Sequence, residues 1–338
     1  MLEFEPWSRK TLDHAGRRFV EEGYFTILDI ELGGGCNCRC VYCDSPDRSK
    51  RFTSEQTIQA LLESGSFDWL FICGLGEPTY EENEDSLQRL LQTCKGCGIR
   101  CSMFTNLTNV EEWVFDFVEN GTLFPMFKLD SMLPKRISEI YRCSITEAEQ
   151  SLDNVRTIAG LVRTDGGCTN VCASIVPTTM NDDSLEEVFG FCHERNIFPL
   201  VGDLEYSGFG IHEYERLRLS TSRLQSLKDS LGDDYRVPIC PSVLYGIHVL
   251  HDGRLAVDEK TGLSCHWFWL TEPEIEVLGD VESFDSIMSI TDAIKAYRGQ
   301  RLEYVRNVAE NPPRLIFGGC GGDVRFLLNY YLANVQGY

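Results

Sequence analysis

The chain is predicted to be an α/β protein. A parallel sheet built from six strand–helix units covers residues 24–206, a connection spans 207–237, and a smaller α+β part covers 238–338. Three observations predict this. Short apolar runs alternate with amphipathic helical stretches through residues 24–206, and strands separated by helices pair in parallel through right-handed crossovers. From about Ser207 the alternation lapses, and Asp252-Gly253 between two apolar runs signals a hairpin instead. The residue groups with chemical character all fall at the C-terminal ends of the predicted strands, the rim where parallel barrels hold their ligands.

Residues 1–23 read as an N-terminal extension with one short helix. The first strand, 24–32, runs into Gly33-Gly34-Gly35 and a cysteine-rich loop, 36–43. Thr53-x-x-Gln56 reads as a capping box opening a helix to about Ser64. The buried strand 68–73 ends in Gly74-Leu75-Gly76-Glu77-Pro78. A helix over roughly 85–95, stopped by Gly98, leads to the strand 99–106, which ends in Thr105-Asn106. A helix near 110–119 precedes the strand 126–130, followed by Ser131. Ser144-x-x-Glu147 caps a long helix to about Ala159. The strand 170–176, the helix 184–195 and the strand 198–204 complete the rhythm. Beyond the connection lie strands at 245–250 and 254–257, the segment 277–281 and helices to about Val308.

With 338 residues and 43% apolar content the chain has volume for a full core. The N-terminus lacks the apolar stretch of a signal peptide, and no apolar run approaches the roughly 18–20 residues of a membrane span. A cytoplasmic location with no membrane partner is expected. A formal net charge of −21 disfavours nucleic acid, whose binding surfaces need basic patches. Fifteen cysteines in such a chain point to metal rather than to a disulfide framework.

Cys36, Cys40 and Cys43 follow the spacing C-x3-C-x2-C. Thiolates bind soft metals; zinc usually gathers two Cys pairs or a Cys/His quartet, whereas three thiolates on one tight loop suit an iron–sulfur cubane with one open iron. The loop resembles the radical S-adenosylmethionine (SAM) superfamily, whose motif has this spacing and commonly an aromatic residue before the last Cys, here Tyr42. The resemblance implies a partial (β/α)6 TIM-like barrel and a [4Fe–4S] cluster on Cys36, Cys40 and Cys43, with the open iron binding the amino and carboxylate groups of SAM. Cys38, between the motif positions, is read as a non-ligand. Gly74, Gly76 and Glu77 resemble the family's GGEP motif and are expected to hold the methionyl amino group. Thr105-Asn106 is similar to the family's third-strand ending, and Lys128, Asp130 and Ser131 occupy a segment that lies over SAM in the family. Lys128 suits the SAM carboxylate there, and Asp130 or Ser131 the ribose. Cys94, Cys97 and Cys101 read as core residues at a helix end and on a strand.

The region from Pro238 resembles the SPASM/twitch domains of radical SAM enzymes, which carry auxiliary iron–sulfur clusters. Cys240 precedes the hairpin, Cys265 follows it, and Cys320 lies between glycine pairs. These three are expected to hold a second [4Fe–4S] cluster. Asp258, at the pattern's usual second-Cys position, is the first candidate for a fourth ligand, ahead of His248, His251 and His266. The expectation is a radical SAM enzyme that cleaves SAM reductively, abstracts a substrate hydrogen and carries out a net oxidation or bond formation. The implied partners are a small-molecule or peptide substrate and an electron donor such as flavodoxin or ferredoxin. A single auxiliary cluster and a short N-terminal extension favour a small metabolite of sugar, aminocyclitol or nucleotide type. The alternative is maturation of a ribosomally made peptide; a non-catalytic iron–sulfur or zinc protein is the reading from a different class.

Overall fold

A computed structural model describes residues 2–18, 25–33, 35–43, 55–74, 76–202, 210–232, 245–250, 253–258, 275–284 and 286–297, with a few isolated positions besides. In chain order the elements are β1 (Glu3–Phe4), α1 (Arg9–Arg17), β2 (Ile27–Ile30), α2 (Glu55–Glu63), β3 (Trp69–Ile72), α3 (Glu84–Cys97), β4 (Arg100–Thr105), α4 (Glu112–Glu119), β5 (Leu123–Lys128), α5 (Pro134–Tyr141) and α6 (Ile145–Ala159). They continue with β6 (Thr164–Asp165), β7 (Cys168–Thr169), β8 (Cys172–Ile175), α7 (Leu185–Glu194), β9 (Phe198–Val201), α8 (Gly210–Leu217), α9 (Thr221–Ser230), β10 (Gly246–Val249), β11 (Arg254–Asp258), β12 (Ile275–Asp280) and α10 (Ile287–Lys295).

The main sheet has the order β12-β11-β10-β2-β3-β4-β5-β8-β9. From β2 to β9 the six expected strands lie side by side in chain order, every pair parallel. An order without reversal, joined by right-handed crossovers, places the connecting helices on one face and leaves the other as the inside of a partial barrel. The C-terminal hairpin continues this sheet. β10 pairs in parallel with β2, setting His248 beside Asp29, and β11 turns back at Gly253, whose φ is 84°.

Local chemistry explains most boundaries. Ser144 and Glu147 form the reciprocal capping box at the start of α6, and Gly98 ends α3 in the left-handed conformation. The Thr53–Gln56 cap lies partly outside the described residues. β5 begins three residues earlier than expected, at Leu123. Pro125 lacks an N–H and discourages a central strand, but β8 pairs with β5 only from Met126, so Pro125 faces no donor-requiring neighbour on that side. The sequence reading also passed over a small second sheet. β6 and β7 form a hairpin around Gly166-Gly167, and β1 adds to it in parallel.

The two ends of the barrel differ. At the N-terminal ends of the strands, Trp69 packs edge-on against Phe71 and Phe124, and the Arg100 guanidinium lies 4.2 Å over the Trp69 ring while pairing with Glu5 at 2.7 Å. Phe4 and Trp7 are buried in the same core. The cysteine loop, the glycine turn and the Thr105-Asn106 pair lie at the opposite end.

Candidate functional site

The cysteine loop leaves β2 and is held along α5 by two backbone bonds, Arg39 N–H to the Tyr141 carbonyl at 2.8 Å and Val41 N–H to the Ile140 carbonyl at 2.9 Å. Tyr42 anchors its far side by donating its hydroxyl to Asp130. Cys40 is buried and Cys36 and Cys43 are half-buried. The Lys128 ammonium lies 3.8 Å from the Cys40 sulfur and 5.2 Å over the Tyr42 ring. Burial pushes the Cys40 thiol up to about 12; Lys128 draws it back, and Cys43 and Cys36 add to the rise. The three motif thiols therefore lie within one another's electrostatic reach beside a cation, a soft donor set suited to an iron–sulfur cluster. Among the described residues no three Cys, His, Asp or Glu side chains stand closed around a metal position, so the fit rests on donor chemistry.

The glycine turn after β3 backs directly onto this loop. Gly76 has φ 81°, and a Cβ there would stand 2.0 Å from the Gly33 carbonyl oxygen and 2.8 Å from that of Gly35. Gly74, at φ 91°, leaves its space to the Glu31 side chain, which a Cβ would approach to 2.8 Å. Leu75 lies outside the described residues. The Glu77 N–H donates to the Gly35 carbonyl at 2.7 Å, closing turn against loop.

Glu77 is buried, and its carboxylate ties its own turn to the end of β4. Oε1 accepts from the Thr79 N–H at 3.1 Å, the Thr79 hydroxyl at 2.8 Å and the Thr105 hydroxyl at 2.7 Å; Oε2 accepts from the Asn106 N–H at 2.7 Å. Burial raises its pKa, and these hydrogen bonds oppose the rise. The Asn106 amide reaches back to the loop, donating to Asn37 Oδ1 at 3.2 Å and to the Cys38 sulfur at 3.3 Å. Loop, glycine turn and Thr-Asn pair thus form one interlocked rim. A carboxylate has about four acceptor positions, so Oε2 keeps capacity for a further donor.

Asp130 and Ser131 are fully buried. Beyond Tyr42, Asp130 accepts from the Val176 N–H at 2.8 Å, and burial raises its pKa despite that bonding. The Ser131 hydroxyl accepts from the Leu133 N–H at 3.1 Å and meets Ser184 at 3.4 Å. Asp130 therefore backs the loop through Tyr42, while Ser131 is buried against Leu133 and Ser184.

In the C-terminal part, Asp258 ends β11 with its backbone opposite Ile275. Cys240, Cys265, Cys320, His251 and His266 lie outside the described residues. His248 stands instead in the main sheet, buried, with Nδ1 3.4 Å from Asp29 and Nε2 3.9 Å from Glu31. The Cys73 thiol meets Asp29 at 2.9 Å. The sequence reading missed this inner-face group, although Asp29 and Glu31, two apart in an apolar strand, were its signal: alternate strand residues share a face.

Residues 30–192 match the Radical SAM superfamily. No curated protein matches the chain. Among solved structures, Streptococcus suis SuiB bound to precursor peptide SuiA has a TM-score of 0.56 at 13% identity, covering 86% of this chain and 71% of SuiB. SuiB bound to S-adenosylmethionine gives 0.53 at 14% identity, covering 86% and 72%. Native anSMEcpe with bound AdoMet and Kp18Cys peptide gives 0.54 at 15% identity, covering 82% of each chain. These likenesses show a shared fold that runs past the matched domain. The C-x3-C-x2-C loop and the interlocked rim lie within residues 30–192, which form a radical SAM superfamily domain, and the chain is accordingly an enzyme that uses SAM and a [4Fe–4S] cluster.

Proposed function

We propose that this radical SAM enzyme modifies a peptide. When bound, the [4Fe–4S] cluster supplies the electron that cleaves SAM to a hydrogen-abstracting radical. Cys36, Cys40 and Cys43 hold that cluster. The Gly74–Glu77 turn receives the methionyl amino group, with Glu77 both bracing the turn and offering its remaining acceptor capacity to the ammonium. Lys128 and the Thr105-Asn106 pair complete the SAM side of the rim. Asp130 acts from behind, fixing Tyr42 and with it the loop rather than reaching the ribose, and Ser131 is bound instead to Leu133 and Ser184. Cys240, Cys265 and Cys320 hold an auxiliary cluster in the C-terminal part, with Asp258 as the first candidate for its fourth ligand.

The peptide reading replaces the small-metabolite expectation. The observation that carries it is the likeness, over 86% of this chain, to SuiB in its complex with a precursor peptide, joined by anSMEcpe with bound peptides. The net charge of −21 agrees, since it suits a basic peptide segment. The test is anaerobic reconstitution with dithionite and SAM, scoring 5′-deoxyadenosine with and without short peptides encoded beside the gene. A peptide-dependent rise of about tenfold together with a mass change on the peptide is expected. Stimulation by sugars or nucleotides, with none by peptides, would return the substrate to the small-molecule class.

A further inference from the structure

We propose that Glu147, Ser151 and Asn154 of α6 form a polar clamp that, acting through Asn37 and Asn106, fixes the cluster loop and Glu77 relative to each other before SAM binds. The proposal rests on Cys36, Cys40 and Cys43 holding the cluster and on Glu77 receiving SAM. The clamp residues stand four and then three positions apart in α6, so they share one face of the helix. They are positioning residues: each acts through a group of the rim.

All three have a partner there. The Ser151 hydroxyl donates to the Asn106 carbonyl at 2.7 Å, and the Asn154 amide to the Leu107 carbonyl at 2.8 Å. Oε2 of Glu147 accepts from the Ser144 N–H and hydroxyl, both at 2.7 Å, which completes the helix cap. Oε1 accepts instead from the Asn37 amide at 2.8 Å. Asn37, next to Cys36, closes a ring of three side chains. Its amide also donates to the Thr108 hydroxyl at 2.7 Å, that hydroxyl donates to Asn106 Oδ1 at 2.6 Å, and the Asn106 amide donates to Asn37 Oδ1 at 3.2 Å. The donors run one way around the ring, and hydrogen bonds so chained reinforce one another. Glu147 sets that direction, because only the NH2 of Asn37 can face a carboxylate.

The backbone at the ring is strained. Leu107, buried between Asn106 and Thr108, has φ 55°, a left-handed conformation that is costly for leucine. In it Thr108 reaches back to Asn106 Oδ1 with its N–H, at 2.9 Å, as well as its hydroxyl. Such a residue persists only where its surroundings hold it, and Ser151 and Asn154 grip the carbonyls of Asn106 and Leu107. The Asn106 N–H in turn donates to Glu77 Oε2 at 2.7 Å. The clamp therefore reaches Glu77 through the Asn106 backbone and the neighbour of Cys36 through one side chain.

The test exchanges donor and acceptor across the Asn37–Glu147 contact. Asn37→Asp sets two carboxylates against each other. Adding Glu147→Gln restores the bond with glutamine as donor, its amide oxygen still able to accept from Ser144. SAM dissociation constants are measured by calorimetry on the reconstituted enzyme, together with its iron content and the melting temperature of the iron-free protein. Asn37→Asp should raise the SAM dissociation constant about tenfold and lower the melting temperature, and the double variant should return the constant to within about threefold of the original. Asn154→Ala, which leaves the Asn37–Glu147 contact whole, should weaken SAM binding too. An unchanged dissociation constant in Asn37→Asp, whatever its melting temperature, overturns the clamp. So does a loss of affinity or of iron that Glu147→Gln does not relieve. Glu77→Ala separates this from the reading beneath it. If that variant loses SAM affinity while Asn37→Asp keeps it, the clamp alone falls; if Glu77→Ala binds SAM as the original does, the Glu77 role and the clamp fall together.

Discussion

Cys40 shows how a single side chain couples burial to metal loading. With its thiol held near 12 by burial, Cys40 stays protonated in the empty loop across the neutral and mildly alkaline range. Coordination requires the thiolate, so binding must release that proton, and affinity rises with pH. The expected outcome is a cobalt(II) affinity for the empty loop that strengthens by up to about tenfold per pH unit between pH 7 and 9 for each thiol proton displaced. Absorbance titration checks it, and a flat profile would show that Cys40 is not displaced from its protonated state. Replacing Cys36, Cys40 or Cys43 with Ala should abolish the SAM-binding cluster and SAM cleavage, while Cys38→Ala retains both. Glu77→Ala removes the acceptor shared by Thr79, Thr105 and Asn106, leaving buried donors unmet at about 1–3 kcal/mol. Its melting temperature should fall and its SAM dissociation constant rise about ten- to a hundredfold, measured by calorimetry on the reconstituted enzyme. An unchanged SAM affinity with a lowered melting temperature would confine Glu77 to the bracing role.

At the level of elements, the rim depends on how closely the turn after β3 approaches the loop after β2. Parallel pairing of β2 with β3 brings both C-terminal ends to one level, and glycine at 76 lets the two backbones meet without a side chain between them. Gly76→Ala would drive a methyl group into the Gly33 carbonyl, and backbone cannot yield as a flexible side chain would. We expect that variant to fold, since the strands' core contacts are untouched, but to lose most of its reconstituted iron and its SAM binding. Iron content and far-ultraviolet circular dichroism distinguish this from general unfolding; full iron loading in Gly76→Ala would show that the close approach is dispensable.

Over the whole molecule, the described C-terminal strands β10, β11 and β12 extend the barrel sheet. β10 extends the sheet at the β2 edge and sends His248 between Asp29 and Glu31. Loss of the cysteines proposed for the auxiliary cluster should therefore leave the sheet intact and change only the metal content. The intact protein should bind about eight irons and a Cys240/Cys265/Cys320 triple-Ala variant about four, each cubane holding four. Four irons in both would remove the auxiliary cluster. No helix among the described residues is long and apolar enough to cross a membrane.

The sequence by itself determined the strand–helix order and the positions of the motifs along it. These depend on local periodicity, capping residues such as Ser144 and Glu147, and the fixed spacing of Cys36, Cys40 and Cys43, all of which act within a few residues. What each motif residue touches was decided only in three dimensions. Glu77 spends most of its acceptor capacity on Thr79, Thr105 and Asn106, Asp130 holds Tyr42 and Val176, and Asn106 reaches the loop. His248, considered from sequence for a distant cluster, stands in the barrel beside Asp29. A linear pattern places a residue at a strand end. Which donors meet it there depends on the register of neighbouring strands and on how closely loops pack, and both arise from contacts between segments far apart in the chain.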